Sequence, residues 1–463
     1  MADDLGHRAT RHAVVIGGSL AGLLAARVLA EHAEKVTVVE RDRFPEGPES
    51  RSGVPQGRHL HVLIHGGQRA LDELLPGFTD ELRELGAPEV GIPQDMIQWQ
   101  GGQWFRRSSA SSYFYSGPRP QLEWLVRRRV SADPRIELLD GTETVGLVGD
   151  SARVRGVRLR TRGAGGGKET RTLAADLVVD ASGRSTKAAD WLAGIGAEAP
   201  HEETLDTGLA YGTRVYRARA GDPGTDTIGY NIVPNPSQVY GAVVLPLGDG
   251  RHLVTLSGLR GDEPPTEEAA FEEYAKRLPH PLISDWLARA EPDSPVYGFR
   301  GTANVRRRYD RPGRRPAGFL ATGDALCAFN PVYGQGMAVA AITAVALRRA
   351  LADRRRVPTT RRVQRALLAA SRQAWDISAG ADKKMPGATG DAARSGTLDK
   401  AVGWYLARVQ ERAAGDPVVG KPFREALTLA GPLTGLFAPP VARAVLFGPA
   451  SPTPAEPPLR RET

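Results

Sequence analysis

The feature that most constrains the fold is a glycine-rich turn between a short apolar segment and a helical one. His12–Ile16 has the pattern of a buried strand, Ala21–His32 that of a helix, and Lys35–Glu40 that of a second strand. Residues 12–40 are therefore predicted to form a β-α-β unit. The turn inside it reads Gly17-Gly18-Ser19-Leu20-Ala21-Gly22, where a dinucleotide-binding fingerprint would stand, with Ser19 at the place of the middle glycine.

The residue types in this turn suit a pyrophosphate. Gly17 permits the tight turn and Gly22 lets the helix pack closely on the strand. Ser19 and Leu20 lead into the helix that begins at Ala21, and the free N–H groups at this helix start can bind the phosphates. Glu40 ends the second strand, where a carboxylate accepts hydrogen bonds from ribose hydroxyls and repels a 2′-phosphate. The predicted site, which includes the adjoining Arg41, therefore takes FAD or NAD rather than NADP.

A second unit near residue 320 distinguishes FAD from NAD. Phe319–Thr322 is predicted as a strand that runs into Gly323 and Asp324, and Gly336–Leu351 as a long helix. An NAD-dependent dehydrogenase has no reason for such a unit, whereas Asp324 can hold a ribitol hydroxyl of a flavin. The start of the helix can direct N–H groups at the pyrimidine end of the flavin ring. The predicted contacts there are Gly334, Gln335, Gly336 and Met337.

In this order and at this separation, the two units resemble the flavoprotein monooxygenase superfamily with the fold of para-hydroxybenzoate hydroxylase. Arg119 and Leu122 resemble the family's arginine-x-x-leucine helix start, which implies that Arg119 lies along the FAD pyrophosphate. Val145 falls where the family's strand passes the adenine. Asp180-Ala181-Ser182-Gly183 stands at the family's Asp-Gly motif and departs from it at Ser182, where the family has aspartate.

The resemblance implies an α/β (α+β) fold in which a Rossmann-like FAD-binding domain carries an inserted antiparallel-sheet substrate domain and a C-terminal helical region. The expected boundaries are 1–85, 119–199 and 300–358 for the FAD-binding domain, 86–118 and 200–299 for the substrate domain, 359–450 for the helical region, and 451–463 for a mobile tail.

Within the superfamily, Gly53–Leu63 and Gly261–Pro265 are most similar to bacterial polyether epoxidases of the monensin and lasalocid type, which are related to squalene epoxidase. This implies insertion of one oxygen atom from O₂, through a flavin C4a-hydroperoxide, into an alkene of an apolar natural-product intermediate. Aromatic or polyketide hydroxylation and a saturase like geranylgeranyl reductase remain open, as does a flavin-binding protein without catalysis. A halogenase is disfavoured, because the sequence has no Trp-x-Trp-x-Ile-Pro block.

Such chemistry needs no protein nucleophile, so no catalytic residue is assigned with certainty; Arg58, His59 and Pro331 are candidates for the flavin edge. His61 and His65 have the spacing of a metal pair on a helix but no acidic third ligand, so no metal is expected. A cluster of aromatic residues either lines a substrate cavity or belongs to an ordinary core. Its members are Trp99, Trp104, Tyr113, Phe114 and Tyr115.

Composition excludes other classes. The net charge is +8, but the arginine runs are not interleaved with stacking aromatics, so no nucleic-acid partner is predicted. The chain has a single cysteine, no signal-peptide pattern and no apolar run long enough to span a bilayer, so we expect a cytoplasmic protein without stable membrane insertion. The expected partners are a small apolar organic substrate and O₂. NADPH or NADH is expected as electron donor, directly or through a separate flavin reductase.

Overall fold

The computed structural model describes residues 10–51, 53, 55–162, 169–218, 228–393, 397–449 and 451–462. The helices are α1 Leu20–Leu29, α2 His65–Leu74, α3 Phe78–Glu84, α4 Arg119–Val130, α5 Ala188–Gly194, α6 Glu268–Tyr274, α7 Leu282–Leu287, α8 Gly336–Ala352, α9 Thr360–Asp382, α10 Thr397–Ala413, α11 Pro417–Leu427 and α12 Pro439–Phe447. The strands are β1 Thr10–Ile16, β2 Ala33–Val39, β3 Val62–Ile64, β4 Glu89–Ile92, β5 Met96–Gln100, β6 Gln103–Trp104, β7 Ser112–Ser116, β8 Ile136–Leu139, β9 Thr142–Gly149, β10 Val154–Thr161, β11 Arg171–Ala174, β12 Leu177–Asp180, β13 His201–Leu205, β14 Ala210–Arg217, β15 Gly229–Ile232, β16 Gly241–Gly248, β17 Arg251–Gly258, β18 Glu291–Pro292, β19 Tyr297–Phe299, β20 Asn304–Arg308, β21 Phe319–Ala321 and β22 Cys327–Ala328.

The first large sheet is parallel and has five strands, in the order β21-β12-β1-β2-β8. Its inner strands are almost continuously apolar because both faces are covered, and Val14, Val178 and Leu320 are 0% exposed. Helices α1 and α2 pack against α8, and α8 packs against α9.

The register of this sheet brings distant motifs together. Ile16 pairs with Asp180, and Asp180 pairs with Ala321. The carboxyl ends of β1, β12 and β21 therefore lie side by side, at the edge where open α/β sheets bind their ligands. The glycine turn, the Asp180 segment and Gly323-Asp324 follow these three strands directly.

The second large sheet has eight strands in the order β18-β14-β17-β16-β15-β5-β6, with β19 paired to β14. One face packs on α6 and α7 through a core that contains Tyr216, Phe271 and Trp286. Its strands are antiparallel, as the sequence predicts, except that β15 and β5 pair in parallel. Smaller three-stranded sheets, β11-β10-β9, β13-β20-β22 and β3-β7-β4, complete the strand pairing.

The aromatic cluster of residues 99–115 is divided among separate cores. Trp104 packs in the core beneath the eight-stranded sheet, Phe114 in a second core and Tyr115 in the core of the parallel sheet. Tyr113 is 40% exposed. Of the two roles expected for this cluster, the structure supports the ordinary core.

The segment that carries His61 and His65 is only partly helical. Residues 55–58 form a 3₁₀ turn, β3 follows, and only α2 is α-helical. Val62-Leu63-Ile64 is rich in β-branched residues, and its pairing with β7 overrides the helical pattern. His61 therefore precedes the helix that His65 begins, and the helical spacing expected for a metal pair does not exist.

The described residues from 359 to 449 are mainly helical, as the sequence predicts, and α10, α11 and α12 share a small core that includes Val409, Phe423 and Val445. The tail differs from the expected mobile segment. Arg107 donates hydrogen bonds to the carbonyls of Pro458 and Leu459 at 3.2 and 2.8 Å, and Glu462 pairs with Arg106 at 2.8 Å. These contacts hold the tail against the segment after β6, although its composition is proline-rich. Among the described residues, no helix is both long enough and apolar enough to span a bilayer.

Candidate active site

The glycine turn between β1 and α1 leaves no room for side chains. Gly17 has φ +101°, and a Cβ there would lie 2.5 Å from the carbonyl oxygen of Ala181. A Cβ on Gly22 would lie 1.8 Å from the carbonyl oxygen of Gly17. Ser19 is the N-cap of α1 but makes no side-chain cap hydrogen bond, so this end of the helix keeps N–H groups for an anion.

Glu40 is held at the end of β2 by backbone donors. Its Oε2 accepts from Gly18 N at 2.7 Å, and its Oε1 accepts from Asp42 N at 3.0 Å. Arg51 lies 3.0 Å from the same carboxylate and also pairs with Glu123. Burial lowers the pKa of Arg51, but Glu123 and Glu40 together raise it above its ordinary value, so this guanidinium stays charged. Sequence reasoning missed Arg51 and Glu123, because their pairing depends on residues that are far apart in the chain.

Arg119, at the start of α4, reaches the glycine turn as the family resemblance implies. Its Nη2 donates to Ser19 Oγ at 3.1 Å, and its Nη1 lies 3.3 Å from His61 Nε2. Its side chain is 15% exposed. Burial lowers the pKa of Arg119, while Glu123 and Asp324 oppose the shift, so these charges share one region.

Arg41 and Val145, the expected adenosine contacts, lie near the end of β2. Arg41 is exposed and donates to the carbonyl of Gly53 at 3.4 Å. Strand β9 begins beside Glu40, whose carbonyl accepts from Thr142 N at 2.9 Å, and Val145 is half-buried further along that strand. A cavity of about 520 Å³ opens here, and its lining includes Arg41, Arg51 and Arg162.

Gly323 and Asp324 meet the start of α1. Gly323 has φ +56°, and a Cβ on it would lie 2.5 Å from the Cβ of Ala21. The Asp324 carboxylate, half-buried, has no hydrogen-bond or ion-pair partner within the described ranges. It is therefore available to a hydroxyl of a ligand.

The loop before α8 is fixed from behind by Asp382 at the end of α9. Its carboxylate accepts from Asn304 Nδ2 at 2.6 Å, Asn330 Nδ2 at 3.0 Å and Tyr333 Oη at 2.7 Å. Burial raises the pKa of Asp382, and the three donors oppose that shift. The sequence does not reveal this role, because Asp382 in α9, Asn304 in β20 and the loop with Asn330 and Tyr333 are far apart in the chain.

The front of the same loop is open. A Cβ on Gly336 would meet nothing within 4 Å, and Gln335 Oε1 is buried without a partner in the described part of the chain. Met337 is buried, and Gly334 has φ +64° with Val62 Cγ2 2.7 Å from where its Cβ would stand. Open space in front of a helix start, with an orphaned amide oxygen beside it, fits the polar edge of a flavin.

The candidates for the flavin edge come from two segments, the turn before β3 and the loop before α8. His59 packs against Tyr211 and Phe299, with ring centroids 5.0 and 5.5 Å apart, and its Nδ1 has no partner among the described residues. Burial and the adjacent Arg58 lower the pKa of His59 to about 4, so the ring is neutral at physiological pH. Arg58 stacks over Tyr297 at 4.9 Å, and Pro331 is exposed on the loop.

The described residues give no metal site and no reactive thiol. Within the described ranges, no cluster of three or more His, Cys, Asp or Glu side chains could hold a metal. Cys327 is 2% exposed, and burial raises its pKa to about 12, so its thiol is unreactive.

The residues present thus fit FAD. The sequence matches the family described as "FAD binding domain" over residues 10–373. The chain belongs to this FAD-binding family, and it is an enzyme of the flavin-dependent monooxygenase superfamily, as its motifs predict.

Individual relatives refine this assignment. The chain is 36% identical to Protein Rv3254 of Mycobacterium tuberculosis over 74% of this chain and 73% of that protein. It is 29% identical to 6-methylpretetramide 4-monooxygenase of Streptomyces rimosus over 77% of this chain and 83% of that protein. The flavin-dependent brominase Bmp2 has a similar structure, with a TM-score of 0.64, 14% identity and coverage of 90% and 93%. At that identity the likeness to Bmp2 shows the fold alone.

Proposed function

We propose that this enzyme inserts one oxygen atom from O₂ into an electron-rich ring of an apolar natural product, and that a phenolic polyketide is the substrate class. The observation that carries the proposal is neutral His59, whose unpaired Nδ1 lies beside the aromatic rings of Tyr211 and Phe299. A hydroxyl that donates to this nitrogen would hold the ring in place and enrich it in electrons. The relative from Streptomyces rimosus, named for a monooxygenation of 6-methylpretetramide, supports the same class.

We assign the FAD contacts as the geometry suggests. When bound and reduced, FAD supplies the electrons that activate O₂. The residues proposed to hold it are Gly17, Ser19, Leu20, Ala21, Gly22 and Arg119 at the pyrophosphate, Glu40, Arg41 and Val145 at the adenosine, Gly323 and Asp324 at the ribityl chain, and Gly334, Gln335, Gly336 and Met337 at the pyrimidine edge. Arg58, His59 and Pro331 then border the reacting face and help to exclude water.

For the electron donor we propose NADPH or NADH, bound directly and transiently. The chemistry supports this, because insertion of one atom of O₂ leaves the other atom to be reduced to water, which takes two electrons from an external donor. Such a donor is also consistent with the cytoplasmic location expected from the sequence. Oxidation of NADPH or NADH by the purified enzyme alone is expected; a strict requirement for an added flavin reductase would contradict direct use.

Epoxidation of an alkene is the second candidate, favoured by the likeness of Gly53–Leu63 to the polyether epoxidases. The two reactions are separated with FAD-loaded enzyme, NADPH and ¹⁸O₂, offered 6-methylpretetramide and squalene in turn. Ring hydroxylation predicts one labelled oxygen in 6-methylpretetramide. A labelled oxide of squalene alone would favour epoxidation. A brominated product in the presence of bromide, or a reduced product without label, would refute the monooxygenase proposal.

Glu40 provides a test of the adenosine site. Glu40→Ala should weaken FAD binding by about 1–3 kcal/mol, because a charged hydrogen bond to ribose is lost. The change is measured as the dissociation constant of FAD from the quenching of flavin fluorescence. Glu34→Ala on the exposed side of the same strand is the control. Equal affinity of the two variants for FAD would show that Glu40 does not contact it.

Because buried His59 is neutral, the free energy of unfolding should depend on pH. Its pKa in the folded state is about 4, below the ordinary value of 6.5. The unfolded chain therefore binds this proton first, and the folded state loses up to roughly 3 kcal/mol as pH falls from 6.5 to 4. His59→Gln should flatten this part of the curve of unfolding free energy against pH, whereas the exposed His201→Gln should not. Parallel curves for the wild type and His59→Gln would contradict the assignment.

A further inference from the structure

A second cavity lies away from the candidate active site, beside the first residue of β21. Its volume is about 350 Å³, within the range of small-molecule pockets. Its apolar wall is formed by Leu192, Tyr309, Pro316 and Phe319, all of them buried. The active site follows the opposite end of the same strand, at Gly323 and Asp324, and none of the cavity's lining residues belongs to it.

The charged residues that line this cavity are all positive. Arg311, Arg315 and Arg361 line it, and no carboxylate does. Arg311 is already paired with Glu203 at 2.7 Å. Arg361 is exposed and has no hydrogen-bond or ion-pair partner in the described part of the chain.

Arg315 has a hydrogen-bond donor without an acceptor. Its Nη1 donates to the carbonyl of Glu198 at 2.6 Å, but its Nε is buried without an acceptor among the described residues. A buried guanidinium nitrogen without a partner carries a desolvation cost that an anionic ligand would remove. Arg361 is also the second residue of the 23-residue helix α9, whose N-terminus favours a negative charge.

We propose that this cavity binds a small organic carboxylate with an aromatic or branched apolar body. The carboxylate would lie between Arg315 and Arg361. The apolar body would lie against Tyr309 and Phe319, whose ring centroids are 6.3 Å apart. Inorganic phosphate would contact the arginines but not the apolar wall. An uncharged aromatic amide would contact the apolar wall but would not pair with the arginines.

The test uses the full chain loaded with FAD and isothermal titration calorimetry with benzoate, phenylacetate and isovalerate. At least one of these acids is expected to bind saturably without changing the visible absorption of the flavin, since a ligand at the flavin would alter that spectrum. Arg361→Ala and Arg315→Ala should each weaken binding by roughly tenfold or more. Benzamide and inorganic phosphate should bind more weakly than the best acid.

Arg314→Ala is the matched control, because Arg314 is an exposed neighbour that does not line the cavity. It should bind the acid as the wild type does. The proposal is overturned if none of the three acids binds, if Arg361→Ala and Arg314→Ala bind equally, if phosphate matches the best acid, or if binding shifts the flavin spectrum.

Discussion

Gly336→Val is expected to give a folded protein that retains little or no FAD. Gly336 is the exposed first residue of α8, and a Cβ there meets nothing within 4 Å. The Cβ of a valine therefore clashes with no protein atom. The side chain does, however, fill the space where we place the polar edge of the flavin. The ratio of absorbance at flavin and protein wavelengths after purification with added FAD measures the loss, and circular dichroism reports the fold.

Gly380→Val is the matched control for this change. Gly380 is also an exposed helical glycine whose Cβ would meet nothing within 4 Å, but it lies near the end of α9. The same substitution should leave its FAD content near that of the wild type. If Gly336→Val retained FAD as well as Gly380→Val does, our placement of the flavin at this helix would be wrong.

Asp382→Ala should lower both the free energy of unfolding and the affinity for FAD. The substitution leaves three buried donors, on Asn304, Asn330 and Tyr333, without their acceptor. Leaving buried polar groups unsatisfied costs about 1–3 kcal/mol each, so a loss of about 3 kcal/mol or more is expected. Because Asn330 and Tyr333 belong to the loop before α8, FAD binding should weaken by at least about tenfold.

Urea denaturation of the apoprotein and flavin fluorescence measure the two effects separately. Asp376→Ala serves as the control, since Asp376 lies on the same helix, is exposed and pairs with Arg372 at 3.6 Å. An Asp382→Ala protein that is destabilised but binds FAD like Asp376→Ala would restrict Asp382 to a structural role. Asp382→Asn should be intermediate, because an amide can accept some of the three hydrogen bonds but not all.

The parts of the site that the sequence predicts are those encoded locally. The turn Gly17–Gly22 and the helix start at Gly336 each combine a strand, glycines and a helix within about twenty residues, so pattern alone identifies them. The β-α-β unit and the antiparallel sheet follow from hydrophobic periodicity in the same way. The family resemblance added Arg119, and the structure places it against Ser19.

Features that depend on contacts between distant segments could not be predicted. Arg51 pairs with Glu123, 72 residues away, and no local pattern marks either residue. Val62–Ile64 is a strand because β7 is there to pair with it, and the tail is held because Arg106 and Arg107 meet it. The two cavities likewise arise from how side chains of remote segments pack.

The strand order of the parallel sheet also has a consequence for synthesis of the chain. Strand β1 comes first but lies in the middle of the sheet, and the edge strand β21 comes from residues 319–321. At about 5–20 residues per second, the ribosome needs roughly 15–60 s after β1 to produce β21. Once β12 has been made, its outer edge stays unpaired for roughly 7–28 s of that interval, and an unpaired strand edge exposes the nascent chain to aggregation. FAD meets a complete binding site only when most of the polypeptide has been translated.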